Sequence, residues 1–343
     1  MSSKLIKIEN IQMDGDYYSL LLEYLGNKTA LNFEYYRRNL VERRLKARVI
    51  RVKCSTLHSY YYYIKDNPVE IEKFIDSFNI NYSCFFRNCE VFQQFENFFL
   101  KCLNYKREDI LTNLKPKRKG KSKGSLKNKK NSDNRSQYRK LMIMKSENAL
   151  KFSEKTSLYR KINGASRSKE IIRIWSCPYA SGEEPYSIAI ILDNLKNQIP
   201  EFPQFKIIAS DIDNDAINKA HIGLYNENVM REISKFNEEN YFIKNESKFG
   251  YKYLINEDLK KYVEFIEEDI TKGYEKTKKY DIIFCRYLLI YISREARNNF
   301  LEIIEKQLNP GGLLILGKTE TLFNSYNTLK LIDSRNHIYL KIN

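Results

Sequence analysis

The chain has 343 residues, 42% of them hydrophobic and 13% aromatic, enough for about two ordinary domains with cores of their own. No apolar run approaches the roughly 18 residues of a membrane helix, and the opening MSSKLIKIEN lacks an apolar export signal. Six cysteines without a CxxC pair, beside only three histidines, support neither a disulfide framework nor a structural zinc site, so a reducing cytoplasm is expected.

Residues 10–105 read as a small helical domain. Between residues 32 and 53, Val41, Leu45, Val49 and Val52 recur at helical spacing. Arg37, Arg44, Arg48 and Arg51 project beside that strip within about a 60° sector, at about 100° per residue. Shorter helices are predicted over 56–65, 69–78 and 90–103.

The net charge of +16 is concentrated in the next stretch. Residues 115–170 hold 19 Lys and Arg against 4 Asp and Glu, and the remainder is close to neutral. The composition there, Lys, Ser, Asn and Gly with few large apolar residues, cannot offset the entropy of ordering. Residues 106–168 are therefore expected to be a basic, disordered linker. Because the charge is confined to that insert, it does not coat a catalytic mouth as phosphate tracking requires; nucleic acid is not the expected partner.

From 169 to 343 the pattern changes to short apolar runs of strand length at 171–175, 206–209, 263–266, 281–285 and 313–316. Helix-like segments at 185–196, 215–220 and 294–308 lie between several of them. That alternation predicts an α/β domain with a mostly parallel sheet covered on both faces. The runs at 329–332 and 337–342 suggest a hairpin on the sheet edge. Residues 226–262 are too long for a plain connection and suggest a small excursion.

Two motifs mislead. Gly312 to Thr319 matches the phosphate-loop pattern, but the middle residues Leu-Leu-Ile-Leu belong in a buried strand whose N–H groups are already paired. Asp211-Ile-Asp213-Asn-Asp215 opens like a calcium loop, but Ala216 stands where glycine is needed and Ile222 where a bidentate carboxylate is needed.

The informative stretch runs from Arg173 to Ala189: a strand, a small-residue turn, then a helix opened by Glu183, Glu184 and Pro185. Ligands of doubly wound sheets sit beyond the carboxyl ends of the strands, and Ser181-Gly182 is expected to let the backbone approach one closely. No G-x-G-x-x-G is present, and two acids at the helix start repel phosphate while capping the helix. Asp211 at the second strand tip is placed to hold ribose hydroxyls, and Glu268-Asp269-Ile270 follows the third strand. Three acidic strand tips suit a phosphate-free cofactor with a ribose and a cationic amino acid end, which points to S-adenosylmethionine.

These motifs resemble the chemotaxis receptor methyltransferases, the CheR family. The elements come in that family's order: Asn81-Tyr-Ser83-Cys-Phe-Phe-Arg87, SGEEPYSIA, ASDID, Tyr262-Val-Glu-Phe, IFCR with IY, Asn309-Pro-Gly-Gly and Gly317-Lys-Thr-Glu320. The resemblance covers roughly 16–103 and 171–341 and leaves out the linker. It implies a Rossmann-like methyltransferase sheet with a small all-α N-terminal domain and an inserted β-subdomain. It implies transfer of a methyl group from S-adenosylmethionine to receptor glutamates, giving methyl esters and S-adenosylhomocysteine, with no metal. Asn81, Ser83, Arg87, Glu184, Asp211, Asp269, Ile270, Arg286 and Tyr287 would meet the cofactor. Arg87 and Tyr291 would stand at the reacting centre, and Arg37, Arg44, Arg48 and Arg51 would dock substrate. The implied partner is the glutamate-rich helical bundle of chemoreceptors, met by a cytoplasmic monomer recruited to receptor arrays without membrane insertion. Three departures stand out: Tyr287 where the family has asparagine, Pro178-Tyr179 where small residues prevail, and the basic linker. A cofactor sensor without catalysis and a nucleic-acid methyltransferase using the linker are the competing readings.

Overall fold

The computed structural model describes residues 11, 13, 15–29, 32–78, 83–105, 156–163, 170–247, 250–270, 279–322 and 328–342. They fall into two compact units. One comprises the chain up to residue 82 together with 269–274 and 287–303, and the other comprises the rest.

The first unit is built on α1 (Gly15–Lys28), α2 (Arg38–Arg51), α3 (Leu57–Asp66) and α4 (Val69–Phe78). Thr56 and Ser59 form a reciprocal capping box that starts α3, satisfying N–H groups that have no partner inside the helix. Leu21, Leu25, Val41, Leu45, Val49, Leu57, Ile64 and Phe74 are buried, the inward stripes that amphipathic helices must cover. Residues 287–303 join this unit through an antiparallel bridge between Tyr36 and Ile292 and a bond from the Arg37 N–H to the Tyr291 carbonyl at 2.9 Å.

The second unit holds α5 (Cys89–Cys102), α6 (Ser157–Asn163) and a seven-stranded sheet. Its strands are β1 (Ile172–Ser176), β2 (Phe205–Asp211), β6 (Val263–Glu267), β7 (Tyr280–Cys285), β8 (Leu308–Leu316), β9 (Leu329–Asp333) and β10 (Ile338–Lys341), in the order β6-β2-β1-β7-β8-β10-β9. The five strands from β6 to β8 pair in parallel, and β10 lies antiparallel between β8 and β9. The edge hairpin is thus as expected. Helices α7 (Glu183–Gln198), α8 (Asn214–Ile222) and α11 (Arg294–Gln307) fall between strands along the chain. The excursion is a separate three-stranded sheet of β3 (Leu224–Asn226), β5 (Gly250–Ile255) and β4 (Phe242–Ser247), with the short helices α9 (Lys235–Tyr241) and α10 (Glu257–Lys260). The phosphate-loop match is strand β8, with Leu313 to Leu316 buried and paired in register with β7.

Two boundaries differ from the sequence reading. Helix α5 belongs with the sheet: Phe92 and Phe95 pack on Phe284, and Phe99 on Phe202, so the helical unit ends near residue 82 and not at 105. The linker expected to reach 168 does not do so, because residues 157–163 form α6. Leu158 and Ile162 enter the core, and the Lys161 ammonium pairs at 2.8 Å with the buried Asp281 carboxylate. Charge composition hid those two apolar anchors. Residues 106–155 and 164–169 lie outside the described residues. Among the described residues no helix is long and apolar enough to cross a membrane.

Candidate cofactor site

The strand order reverses between β1 and β7: the chain leads from β1 outward to β2 and β6, then returns to β7 and β8. A doubly wound sheet binds its ligand outside the strand ends at that switch. The residues there are Ser176 and the turn 177–182 after β1, Arg286 after β7, and Asp211 at the tip of β2.

Glu184, in the first turn of α7, receives a hydrogen bond from the Ser176 hydroxyl at 2.8 Å and an ion pair from Arg286 Nη1 at 2.9 Å. Arg286 Nη2 donates to the Arg87 carbonyl and to Asn88 Oδ1, each at 2.7 Å. Its guanidinium also lies over the Phe92 ring, 5.5 Å from the centroid. The Phe86 N–H donates to Ser187 Oγ at 2.9 Å. Arg87, Glu184 and Arg286 are therefore brought together through α7 and β7.

Glu183, the neighbouring acid, is 3% exposed. Ser83 and Ser181 hydrogen-bond it, and burial raises its pKa above the usual carboxylate range. Its Oε2 has no partner among the described residues. An orphaned buried acceptor beside Ser83 is the feature that a cationic or hydroxyl-bearing cofactor would satisfy. The sequence reading used Glu183 as a helix cap and as one of two acids that repel phosphate; its partner in the strand-distant Ser83 was not legible.

Asp211 is held by backbone. Its carboxylate is 7% exposed and accepts four backbone N–H groups: Tyr179 and Ala180 on one oxygen, Ile212 and Asp213 on the other. That uses about all four acceptor directions of a carboxylate, so Asp211 ties the β1 turn to the β2 tip. Burial pushes its pKa up to about 6 against the opposing pull of those N–H groups. Asp213 caps α8 through Asp215 and Ala216 N–H, which explains the calcium-like spacing. Glu268 accepts from Ser210 at 2.7 Å, and Ser210 in turn accepts from the Trp175 indole at 2.9 Å.

Gly182 is required for another reason than ligand approach. At φ +93°, an added Cβ would meet Ala220 Cβ at 2.8 Å and Tyr225 Oη at 3.0 Å. Tyr179 turns into a small core with Ala209, Ile217 and Ala220 and packs on Phe265.

Asp269, Ile270, Tyr287 and Tyr291 belong to the first unit. Tyr287 has φ +62°, a left-handed conformation that is easy for asparagine and costly for a bulky residue. Asn81 lies outside the described residues.

The arginine stripe is not a uniform exposed face. Arg48 is buried, 7% exposed, and bonds the Glu70 carboxylate with two nitrogens at 2.9 and 2.7 Å, while the Tyr60 hydroxyl donates to the same carboxylate at 3.0 Å. It points beside Val41 and Val49 toward α4, so it is withdrawn from any docking role. Arg44 is half-buried, and burial, then the neighbouring Arg43, lowers its pKa. Arg37 bonds the Ile292 and Leu289 carbonyls. The exposed row of α2 is Asn39, Arg43, Ala47 and Arg51, with Arg38 exposed beside it.

A doubly wound sheet with acid-rich strand tips, no dinucleotide glycine pattern and a buried carboxylate with one oxygen left unpartnered among the described residues fits a phosphate-free nucleoside cofactor. The description "CheR methyltransferase, SAM binding domain" matches residues 142–338, and "CheR methyltransferase, all-alpha domain" matches 16–78. The chain belongs to the CheR methyltransferase family and binds S-adenosylmethionine through that domain. It is 27% identical over 306 residues to chemotaxis protein methyltransferase 2 of Vibrio cholerae, covering 88% of this chain and 83% of the relative. With the chemotaxis protein methyltransferase of Borreliella burgdorferi it shares 26% identity over 322 residues, covering 93% and 92%. The Salmonella typhimurium chemotaxis protein methyltransferase is 33% identical over 153 residues, 44% of this chain and 52% of that one.

Proposed function

We propose that this chain methylates glutamate side chains of chemoreceptors, forming glutamate methyl esters and S-adenosylhomocysteine. The observation that carries the reading is the buried Ser176–Glu184–Arg286–Arg87 assembly at the strand-order reversal, in a chain of this family. When bound, S-adenosylmethionine supplies a methyl group activated by its sulfonium. Glu183 and Ser83 would hold its polar end, and Asp211, which ties the β1 turn to the β2 tip, would meet its ribose by resemblance. Asp269, Ile270, Tyr287 and the undescribed Asn81 remain assigned to the cofactor by resemblance.

A substrate glutamate has an ordinary pKa of about 4.3, so at neutral pH it is already a nucleophile and needs no general base. The protein's work is orientation and exclusion of water, and orientation alone is worth about 7–11 kcal/mol. Arg87 attracts and steers the carboxylate, and Tyr291 orients the reacting groups. The exposed α2 row, with Arg43 and Arg51, faces the acidic receptor bundle, supplemented by the half-buried Arg44 and the exposed Arg37. Such an enzyme works in the cytoplasm at membrane-bound receptor arrays.

The test is methyl transfer from labelled cofactor to receptor-bearing membranes. Arg87→Ala is expected to lower turnover at least tenfold while changing cofactor Kd by less than about threefold. Full turnover in that variant, or no base-labile methyl ester on receptor glutamates with the wild-type enzyme, overturns the reading.

A further inference from the structure

We infer that Tyr225, on the first strand of the three-stranded excursion, is a positioning residue for the cofactor turn: its hydroxyl holds the Ser181 carbonyl, and through Ser181 it steadies the Glu183 carboxylate. This role rests on the cofactor reading above and deepens it at one residue, with no contact between Tyr225 and the cofactor itself.

The local sequence leaves the Ser181 carbonyl in need of a donor. Helix α7 does not supply one. Its first bond runs from the Tyr186 N–H to the carbonyl of Gly182, the left-handed cap, and Pro185, one residue earlier, has no N–H to give. Among the described residues no backbone N–H reaches Ser181 O. A backbone carbonyl shielded from water and left without a donor is costly. Tyr225 Oη donates to it at 2.8 Å from a segment 44 residues away.

The phenol is delivered from a fixed position. Tyr225 is 5% exposed and pairs with Tyr253 of β5, and its ring is set edge-on between Phe85 at 4.8 Å and Tyr186 at 6.5 Å. The rest of the turn has other anchors: the Tyr179 and Ala180 N–H groups bond Asp211, and the Gly182 N–H bonds the Tyr179 carbonyl. Tyr225 holds the peptide between those anchors. The Ser181 side chain in turn bonds Glu183, beside bonds from Ser83 and from the N–H of Glu183 itself. A line of hydrogen bonds thus runs from the excursion through Ser181 to the acid whose Oε2 is unpartnered among the described residues. Without the phenolic oxygen the Ser181 peptide can rotate and draw its side chain off Glu183. Because Ser83 and the Glu183 N–H keep their hold, the loss is partial.

The experiment compares Tyr225→Phe and Tyr241→Phe with the wild type, on the full chain. Each variant removes one phenolic oxygen from the excursion. Tyr241 Oη bonds Asp193 and Asn194, about 15 Å along α7 from Glu183 at 1.5 Å per residue, so it controls for general loosening of the excursion. Tyr225→Phe is expected to weaken binding of S-adenosylhomocysteine, read by calorimetry, about fivefold or more. Tyr241→Phe is expected to bind within about twofold of wild type even though its melting temperature falls. Unchanged affinity in Tyr225→Phe, or an equal loss in Tyr241→Phe, overturns the inference. On receptor membranes Tyr225→Phe should raise KM for the cofactor by a similar factor, leave KM for receptor unchanged, and regain wild-type kcat within about twofold at saturating cofactor. A kcat deficit that saturation does not restore overturns it as well. If the wild-type enzyme transfers nothing to receptors, the glutamate reading fails by itself, and hydrogen exchange of the product-bound protein decides: faster exchange of the amides of Ser181, Gly182 and Glu183 in Tyr225→Phe upholds the positioning role, and equal exchange overturns it.

Discussion

At the scale of single residues, burial reassigns charges that the sequence placed on the surface or in the ligand's path. Arg48 and Glu70 form a buried bidentate pair. Removing one partner strands the other in the core, so Arg48→Ala is expected to cost about 3–5 kcal/mol, read by chemical denaturation of the full chain. Replacing both by apolar residues, Arg48→Met with Glu70→Leu, should recover most of that loss. Asp211 gives a pH signature. Its pKa is about 6 when folded against an ordinary 3.8, so between those values the native state binds more protons than the unfolded one. Stability from this group is greatest below about pH 4 and is lost as pH rises toward 6, on the order of 3 kcal/mol. Asp211→Asn should flatten that segment of the stability profile; an unchanged slope assigns the titration to another group.

At the scale of elements, the local chemistry of turns decides whether the helices and strands meet correctly. Gly182 caps α7 in the left-handed region with Ala220 and Tyr225 against it. Gly182→Ala is therefore expected to destabilise by about 2 kcal/mol or more, from backbone strain and forced displacement together, visible as a lower melting temperature. The opposite sign is expected after β7. Tyr287 occupies φ +62°, and Tyr287→Asn is expected to relieve backbone strain by a few tenths to about 1 kcal/mol, read as a higher melting temperature. The helix at 157–163 shows how two apolar residues suffice to dock a basic segment: Leu158 and Ile162 are each 1% exposed, and Lys161 neutralises Asp281, which also receives the Arg173 N–H and the Asn309 amide.

At the scale of the whole molecule, the excess positive charge lies mostly outside the described residues, and the helical unit carries its own smaller basic row. Exposed charges steer encounter with an acidic partner and are screened over about 8–10 Å at ordinary ionic strength. Reversing Arg43 and Arg51 to Glu is expected to raise KM for receptor severalfold and leave cofactor Kd unchanged. Wild-type activity should fall with added salt, whereas the reversed variant should be nearly insensitive. Identical salt profiles for the two would make the row an ordinary solvated face.

The alternation of apolar runs with helical segments carried the sheet, because strand and helix periods are local properties of the chain. β1, β2, β6, β7 and β8 lie where short apolar runs stand, and the Leu-Leu-Ile-Leu core of the phosphate-loop match is a strand for the same reason. Acids at the strand tips were equally legible, since a strand that ends in Asp-Ile-Asp can put those carboxylates only near the ligand end of the sheet. Their tasks were not. That Asp211 accepts four backbone N–H groups depends on where a turn 31 residues away in sequence is folded. That Arg48 leaves the surface depends on Glu70 reaching it from α4. The union of Glu184, Arg286 and the turn at Arg87 spans 199 residues of sequence. Hydrogen-bond partners and burial are set by packing between distant segments, and only the tertiary structure decided them.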